Sequence, residues 1–266
     1  MKANFHTHTT FCDGKNTPEE IVLAAMEKGF PAIGFSGHGY TPFDLSYCMK
    51  DSCGYIAQID QLKEKYKKEI HIYLGVEEDA LAPVDRSKFD YIIGSSHYIH
   101  VNDQYYSVDS GHDYIQNCLT AFQQDTLAMA EAYYGAFCDY ISRRKPDIIG
   151  HFDLITKFDE VEAPLFLHDP AYRRIAEQAI ARAAQSGCIF EVNTGAMARG
   201  LRTAAYPGEH LLYVLKKCGA RLILSSDSHS KDTLDFGFEE TKELLRDIGF
   251  THLVTLYNGE FEDCAI

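Results

Sequence analysis

An α/β fold closed into one parallel barrel is what the sequence predicts, and three observations carry that reading. Short apolar runs alternate with stretches of helical periodicity along the 266 residues. The runs are apolar nearly throughout, as in strands covered by helices on a parallel sheet. Residues that bind metals recur directly after the runs, where the strand tips of a parallel barrel converge on one mouth.

Taken in order, Ala3–His6 begins the first strand. Thr17-Pro18-Glu19-Glu20 opens a helix with Thr17 as N-cap and Pro18 in its first turn, and Gly29 ends it after Lys28. Ala32–Ser36 is the second strand, and a long loop from Gly39 to Asp51 leads to a helix over about Tyr55 to Lys68. Ile70–Val76 and Tyr91–Gly94 are the third and fourth strands, and Asp109–Arg143 reads as long helices rich in Ala, Tyr and Leu. Asp147–Gly150 is the fifth strand, Ala171–Ser186 a helix stopped by Gly187, and Cys188–Val192 the sixth strand. Arg221–Leu224 is the seventh, a helix spans about Asp232 to Asp247 before Gly249, and His252–Leu256 is a candidate further strand. Seven or eight such units suit a closed barrel better than an open sheet. With no linker, repeat or low-complexity tract, one barrel domain over residues 1–266 is expected.

Composition narrows the function. The net charge is −14, from 39 acidic and 25 basic residues, a field that repels polyanions, so no nucleic-acid partner is expected. The basic run Lys63–Lys68 has helical spacing and its own acid, and reads as a solvated helix face. No apolar stretch approaches the roughly 20 residues of a membrane span, and the N-terminus lacks a signal-peptide pattern. Eight cysteines without a C-x-x-C pair suit reduced thiols, so a cytoplasmic location is expected; Cys12 alone neighbours the residues below. The oligomeric state is not legible.

Six strand tips carry the chemistry. His6 and His8 follow the first strand, His38 the second, Glu77 the third, His97 the fourth, His151 the fifth, and Asp227 with His229 the seventh. Side chains two apart on an extended chain point the same way, so His6-Thr7-His8 can address one cation or two neighbours. Asp227-Ser228-His229 repeats that logic with a carboxylate able to bridge. Each position alone suits an ordinary structural histidine or a capping turn at least as well; their joint placement favours metal binding. Asp13, in Cys12-Asp13-Gly14, fits a turn and also stands beside the first His pair.

In order and spacing, His6-Thr7-His8, Gly37-His38, Gly75-Val76-Glu77, Ser96-His97, Gly150-His151 and Asp227-Ser228-His229 resemble the polymerase and histidinol phosphatase (PHP) superfamily over nearly the whole chain. Within it, Gly150-His151-Phe152-Asp153 and Glu191-Val192-Asn193-Thr194-Gly195 are most similar to the monofunctional L-histidinol-phosphate phosphatases. The resemblance implies a distorted TIM-like (β/α)7 barrel and a trinuclear centre held by His6, His8, Asp13, His38, Glu77, His97, His151, Asp227 and His229. It also implies a small phosphate ester as substrate, with L-histidinol phosphate foremost.

Two or three divalent cations are expected. Mixed His and carboxylate donors suit Zn, Fe, Mn or Co. Three cations would balance the charge of Asp13, Glu77, Asp227, one hydroxide and a phosphate dianion. A hydroxide shared between cations would then attack phosphorus in line. Arg199 and Lys157, in loops after the sixth and fifth strands, are candidates for the outer phosphate oxygens, or are ordinary surface cations. Glu191 or Asp153 is a candidate for selecting the cationic leaving group, though Glu191 also suits a structural place in the barrel. The rival readings are a PHP phosphoesterase for another phosphate ester or nucleotide, a metal-dependent amidohydrolase or deacylase, and a non-catalytic metal-binding barrel.

Overall fold

The computed structural model describes residues 2–266. Seven strands pair in parallel and in chain order: β1 (Ala3–Asn4), β2 (Ala32–Phe35), β3 (His71–Asp79), β4 (Tyr91–Ser95), β5 (Ile148–Ile149), β6 (Ile189–Asn193) and β7 (Leu222–Ser225). The register sets Ile33 opposite Ile72, Glu77 opposite Ile93, and Glu191 opposite Ile223. Between β7 and β1 the ring closes above the strands through a parallel bridge of Thr7 with Ser228. There His8 N donates to Ser228 O at 2.8 Å, and Ser228 N to His6 O at 3.0 Å. Lower down a side chain stands in for the missing ladder: Asn4 Nδ2 donates to Ser226 Oγ at 2.8 Å, and Ser226 N to Asn4 Oδ1 at 3.2 Å. This is a distorted (β/α) barrel, with β1 and β5 only two residues long.

Among the described residues eight α-helices accompany the strands: α1 (Pro18–Glu27), α2 (Ser52–Tyr66), α3 (His112–Ala121), α4 (Thr126–Arg144), α5 (Pro170–Ala184), α6 (Gly195–Ala198), α7 (Glu209–Cys218) and α8 (Phe238–Ile248). Their starts follow local chemistry. Thr17 and Glu20 form a reciprocal capping box on α1. Asp51, Asp125 and Asp169 accept from the exposed first-turn amides of α2, α4 and α5. Helix α2 therefore starts three residues before the predicted Tyr55, and α7 has no counterpart among the predicted elements. Helix α8 begins at Phe238, not near Asp232, because Gly237 at φ 70° breaks the chain first.

Inside the ring, Phe5, Tyr91, Ile93, Ile148, Ile189 and Ile223 form a small apolar plug. The Tyr91 ring lies across it, and its hydroxyl donates to Phe5 O at 2.5 Å. That ring needs Gly75: a Cβ there would come within 2.3 Å of Tyr91 Cζ. The larger core lies between the strands and α4, α5 and α7, around Tyr133, Phe137, Tyr172 and Leu211.

The predicted further strand forms, but outside the barrel. His252–Tyr257 pairs antiparallel with Glu260–Ala265 in a separate two-stranded sheet, whose Val254 and Leu256 close the floor against the plug. A second hairpin, Tyr98–Val101 with Gln104–Ser107, leaves the rim after β4. No helix among the described residues is long and apolar enough to cross a membrane.

Candidate metal centre

Strand direction brings the predicted ligands together. Glu77 near the end of β3 is the hub: its Oε2 lies 2.9 Å from His38 Nδ1 and 3.2 Å from His6 Nε2. Its Oε1 lies 3.0 Å from His151 Nε2 and 3.3 Å from His97 Nε2. Asp227 Oδ1 approaches His8 Nε2 at 3.1 Å and His6 Nε2 at 3.6 Å. At the open side, Asp13 Oδ2 is 3.2 Å from His229 Nε2 and 3.7 Å from His38 Nε2. Asp227 reaches inward from a left-handed backbone at φ 46°, a conformation that a short polar side chain tolerates.

Charge explains how so many titratable groups share one place. Burial would hold the Glu77 carboxyl up, but His6, His38 and His97 bring it well below the ordinary carboxylate range. Asp227 is likewise low, against burial, because of His6 and Arg199. Burial works to lower His6, yet Glu191, Glu77 and Asp227 raise it well above an ordinary imidazole. His8 goes the other way, down to about 3, through burial and the neighbouring His229 and His38.

The donor set fits cations on a direct test. His6 Nε2, His8 Nε2 and Glu77 Oε2 are buried without any hydrogen-bond partner. Such orphaned atoms cost about 1–3 kcal/mol each unless something occupies the space between them. Three overlapping groups have ligand atoms within 4.8 Å of one another: His8, Asp13, His38 and His229; His6, His8 and Glu77; and His38, Glu77 and His97. His151 and Asp227 border these groups through Glu77 and His8.

Behind the inner residues stand two carboxylates that hold imidazoles. Glu191 Oε1 meets His6 Nδ1 at 2.6 Å, and its Oε2 accepts from His151 N and Asn193 Nδ2, each at 2.9 Å. Asp79 Oδ2 meets His97 Nδ1 at 3.1 Å and accepts from His97 N at 3.0 Å. Asp79 was not predicted; its spacing of two from Glu77 on one strand was the available signal.

A cavity of about 450 Å³ opens above the cluster, lined by Asp13, His38, Glu77, His97, His151, Asp227 and His229 and by both predicted basic residues. Arg199 donates to Asp227 Oδ2 at 3.2 Å and lies 3.3 Å from His229 Nδ1. Lys157 Nζ donates to Asp109 O at 2.9 Å. The other two predicted substrate contacts are corrected by their positions. Glu191 is 0% exposed inside the ring, with both oxygens taken. Asp153 is 1% exposed and turns away from the mouth, where its Oδ2 accepts from Gly208 N at 2.9 Å. Neither lines the cavity. Rim residues that sequence reasoning missed include Lys15 after β1, Tyr47 from the long loop, and Tyr98, Asp109 and Ser110 from the hairpin region.

Residues 4–195 match the PHP domain family. The chain belongs to the PHP family. Asp227 and His229 lie beyond the matched stretch, and in this PHP protein the tip of β7 brings them to the cluster. Among similar proteins is a probable histidinol-phosphatase of Schizosaccharomyces pombe, 28% identical over 284 residues, covering 97% of this chain and 90% of the relative. A histidinol-phosphatase of Bacillus subtilis is 23% identical, covering 90% and 97%. The PHP barrel is also that of histidinol phosphate phosphatase from Lactococcus lactis, solved with zinc, L-histidinol and phosphate. That structure superposes with a TM-score of 0.74 at 21% identity over 98% of each chain.

Proposed function

We propose that this chain is a metal-dependent phosphomonoesterase that hydrolyses L-histidinol phosphate to L-histidinol and phosphate. The observation that carries it is the set of orphaned, buried imidazole and carboxylate atoms facing one another beneath the cavity. Relatives named histidinol-phosphatase that span nearly the whole chain support the choice of substrate.

Three divalent cations suit the three overlapping groups, with Glu77 and His38 common to two of them and His8 likewise shared. When bound they supply Lewis acidity, lowering the pKa of a water from 15.7 to about 7 and neutralising phosphoryl oxygens. The zinc of the Lactococcus lactis structure makes zinc the first ion to test. The chain's own residues do the rest. Glu191 and Asp79 fix the rings of His6 and His97, so the donor atoms are aimed before any cation arrives. Arg199, oriented by Asp227 and beside His229, offers a planar fork to the outer phosphoryl oxygens. Lys157 adds a point charge from the loop after β5. A bound phosphate dianion thus lies between the cluster and two side-chain cations, where burial strengthens each interaction.

The test is phosphate release from L-histidinol phosphate, with metals per chain measured on the same sample. EDTA should abolish turnover, and added zinc or manganese should restore it. Turnover that persists in EDTA would refute the metal-dependent reading. Arg199→Ala should raise KM about tenfold or more while metals per chain stay constant.

A further inference from the structure

Four carboxylates line the cavity: Asp13, Glu77, Asp227 and Asp109. The first three are taken up by the histidine cluster. Asp109 is left over. It follows the hairpin after β4 and precedes α3, and it lines the mouth beside Lys157. Its carboxylate is only lightly used. Oδ1 accepts from Ser107 Oγ at 3.1 Å, and Oδ2 has a long contact of 3.4 Å with Lys157 Nζ, whose shorter bond goes to the Asp109 carbonyl. A carboxylate has about four acceptor positions, so some of those on Asp109 remain free. The Lys157 ammonium and the electropositive cluster hold it ionised, with its pKa down to about 2 in spite of burial. Beside it the cavity wall is aromatic: Tyr47 and Tyr98 both line it, with ring centroids 6.2 Å apart.

Resting on the phosphatase reading, we propose that Asp109 is the specificity-determining residue, receiving a cationic amine of the leaving group while the phosphate faces the cluster, Arg199 and Lys157. The preferred substrate class is therefore a phosphate monoester carrying an ammonium group a few bonds from the ester oxygen. The mouth is itself dipolar. Lys157 and Asp109 sit side by side with opposite charge, and a zwitterionic ester presents the complementary pair in one molecule. An ester with no amine can satisfy Lys157 but leaves Asp109 facing a second anion. That like-charge contact disfavours it as much as the missing bond does. Tyr47 and Tyr98 add an aromatic wall against which an apolar end of the same leaving group can pack.

The experiment uses the metal-loaded enzyme and its Asp109→Asn variant, which keeps shape and removes charge. Turnover of L-histidinol phosphate is compared with that of β-glycerophosphate, an amine-free ester. Wild type should prefer the first, and D109N should reduce the ratio of the two kcat/KM values by about tenfold or more. Calorimetric titration with L-histidinol and with inorganic phosphate provides a second readout. D109N should weaken L-histidinol binding selectively, and retained phosphate binding shows that the variant is folded. An unchanged ratio, or equal losses for both esters and both ligands, overturns the assignment while leaving the phosphatase reading intact. If wild type hydrolyses neither ester with metals loaded, the phosphatase reading fails and Asp109 falls with it.

Discussion

Glu191 and Asp153 both lie beneath the rim, the one against the His6 ring and the other against the Gly208 amide. The pattern of the sequence could not separate these outcomes. An acid within or just after an apolar run signals only that some partner awaits it. Glu191 sits on β6 where the strand interior meets the His6 ring. Asp153 is carried away by a tight turn at Leu154–Thr156. The clustering of the nine candidate positions was legible for a simpler reason: each follows a strand or stands within a few residues of one, and parallel strands deliver their tips to one place. Glu191 has a measurable consequence at this scale. Its carboxylate orients His6 and makes the ring a stronger donor, so Glu191→Gln should weaken metal binding about 10- to 100-fold. Chelator competition measures this; unchanged affinity would reduce Glu191 to a packing residue.

At the scale of the element, β3 places three acids in succession with opposite assignments. Glu77 and Asp79 face the cluster, while Glu78 between them points to the outer side, as the two-residue period of a strand requires. There Glu78 accepts from Tyr140 OH at 2.8 Å and from Arg144 Nε and Nη2, each at 2.7 Å, tying the ligand-bearing strand to α4. Glu78 is 0% exposed, so removing its partner strands a buried charge. Arg144→Met should therefore cost about 3 kcal/mol in urea unfolding, and Tyr140→Phe much less. A loss under 1 kcal/mol for Arg144→Met would mean that water replaces the guanidinium. The strands were readable because their apolar runs are short and bounded. The break between α3 and α4 was not: Gln123 and Gln124 turn the chain at φ 55° and 67°, and glutamine carries no turn signature.

Across the whole molecule, the acidic balance and the histidine-rich centre have opposite effects. A net charge of −14 repels itself and polyanions alike, whereas bound cations would relieve repulsion at the place where carboxylates are densest. Chelation should consequently lower thermal stability as well as stop turnover. At about 100-fold excess over Kd, ligand binding contributes about 2.7 kcal/mol. For a chain of this size that corresponds to a Tm lower by about 5–10 °C after metal removal, read by calorimetry with and without EDTA. An unaltered Tm would mean that the empty cluster is already balanced.

The Thr7–Ser228 bridge gives the protein a kinetic history as well as a shape. Two of the three donor groups are complete within residues 6–97, while the third needs His229, which lies beside the Ser228 bridge that shuts the ring. Joining segments so remote in the chain is a slow step for any topology. An open ring would therefore offer only partial chelation, and capture of a further ion would report that its two ends have met.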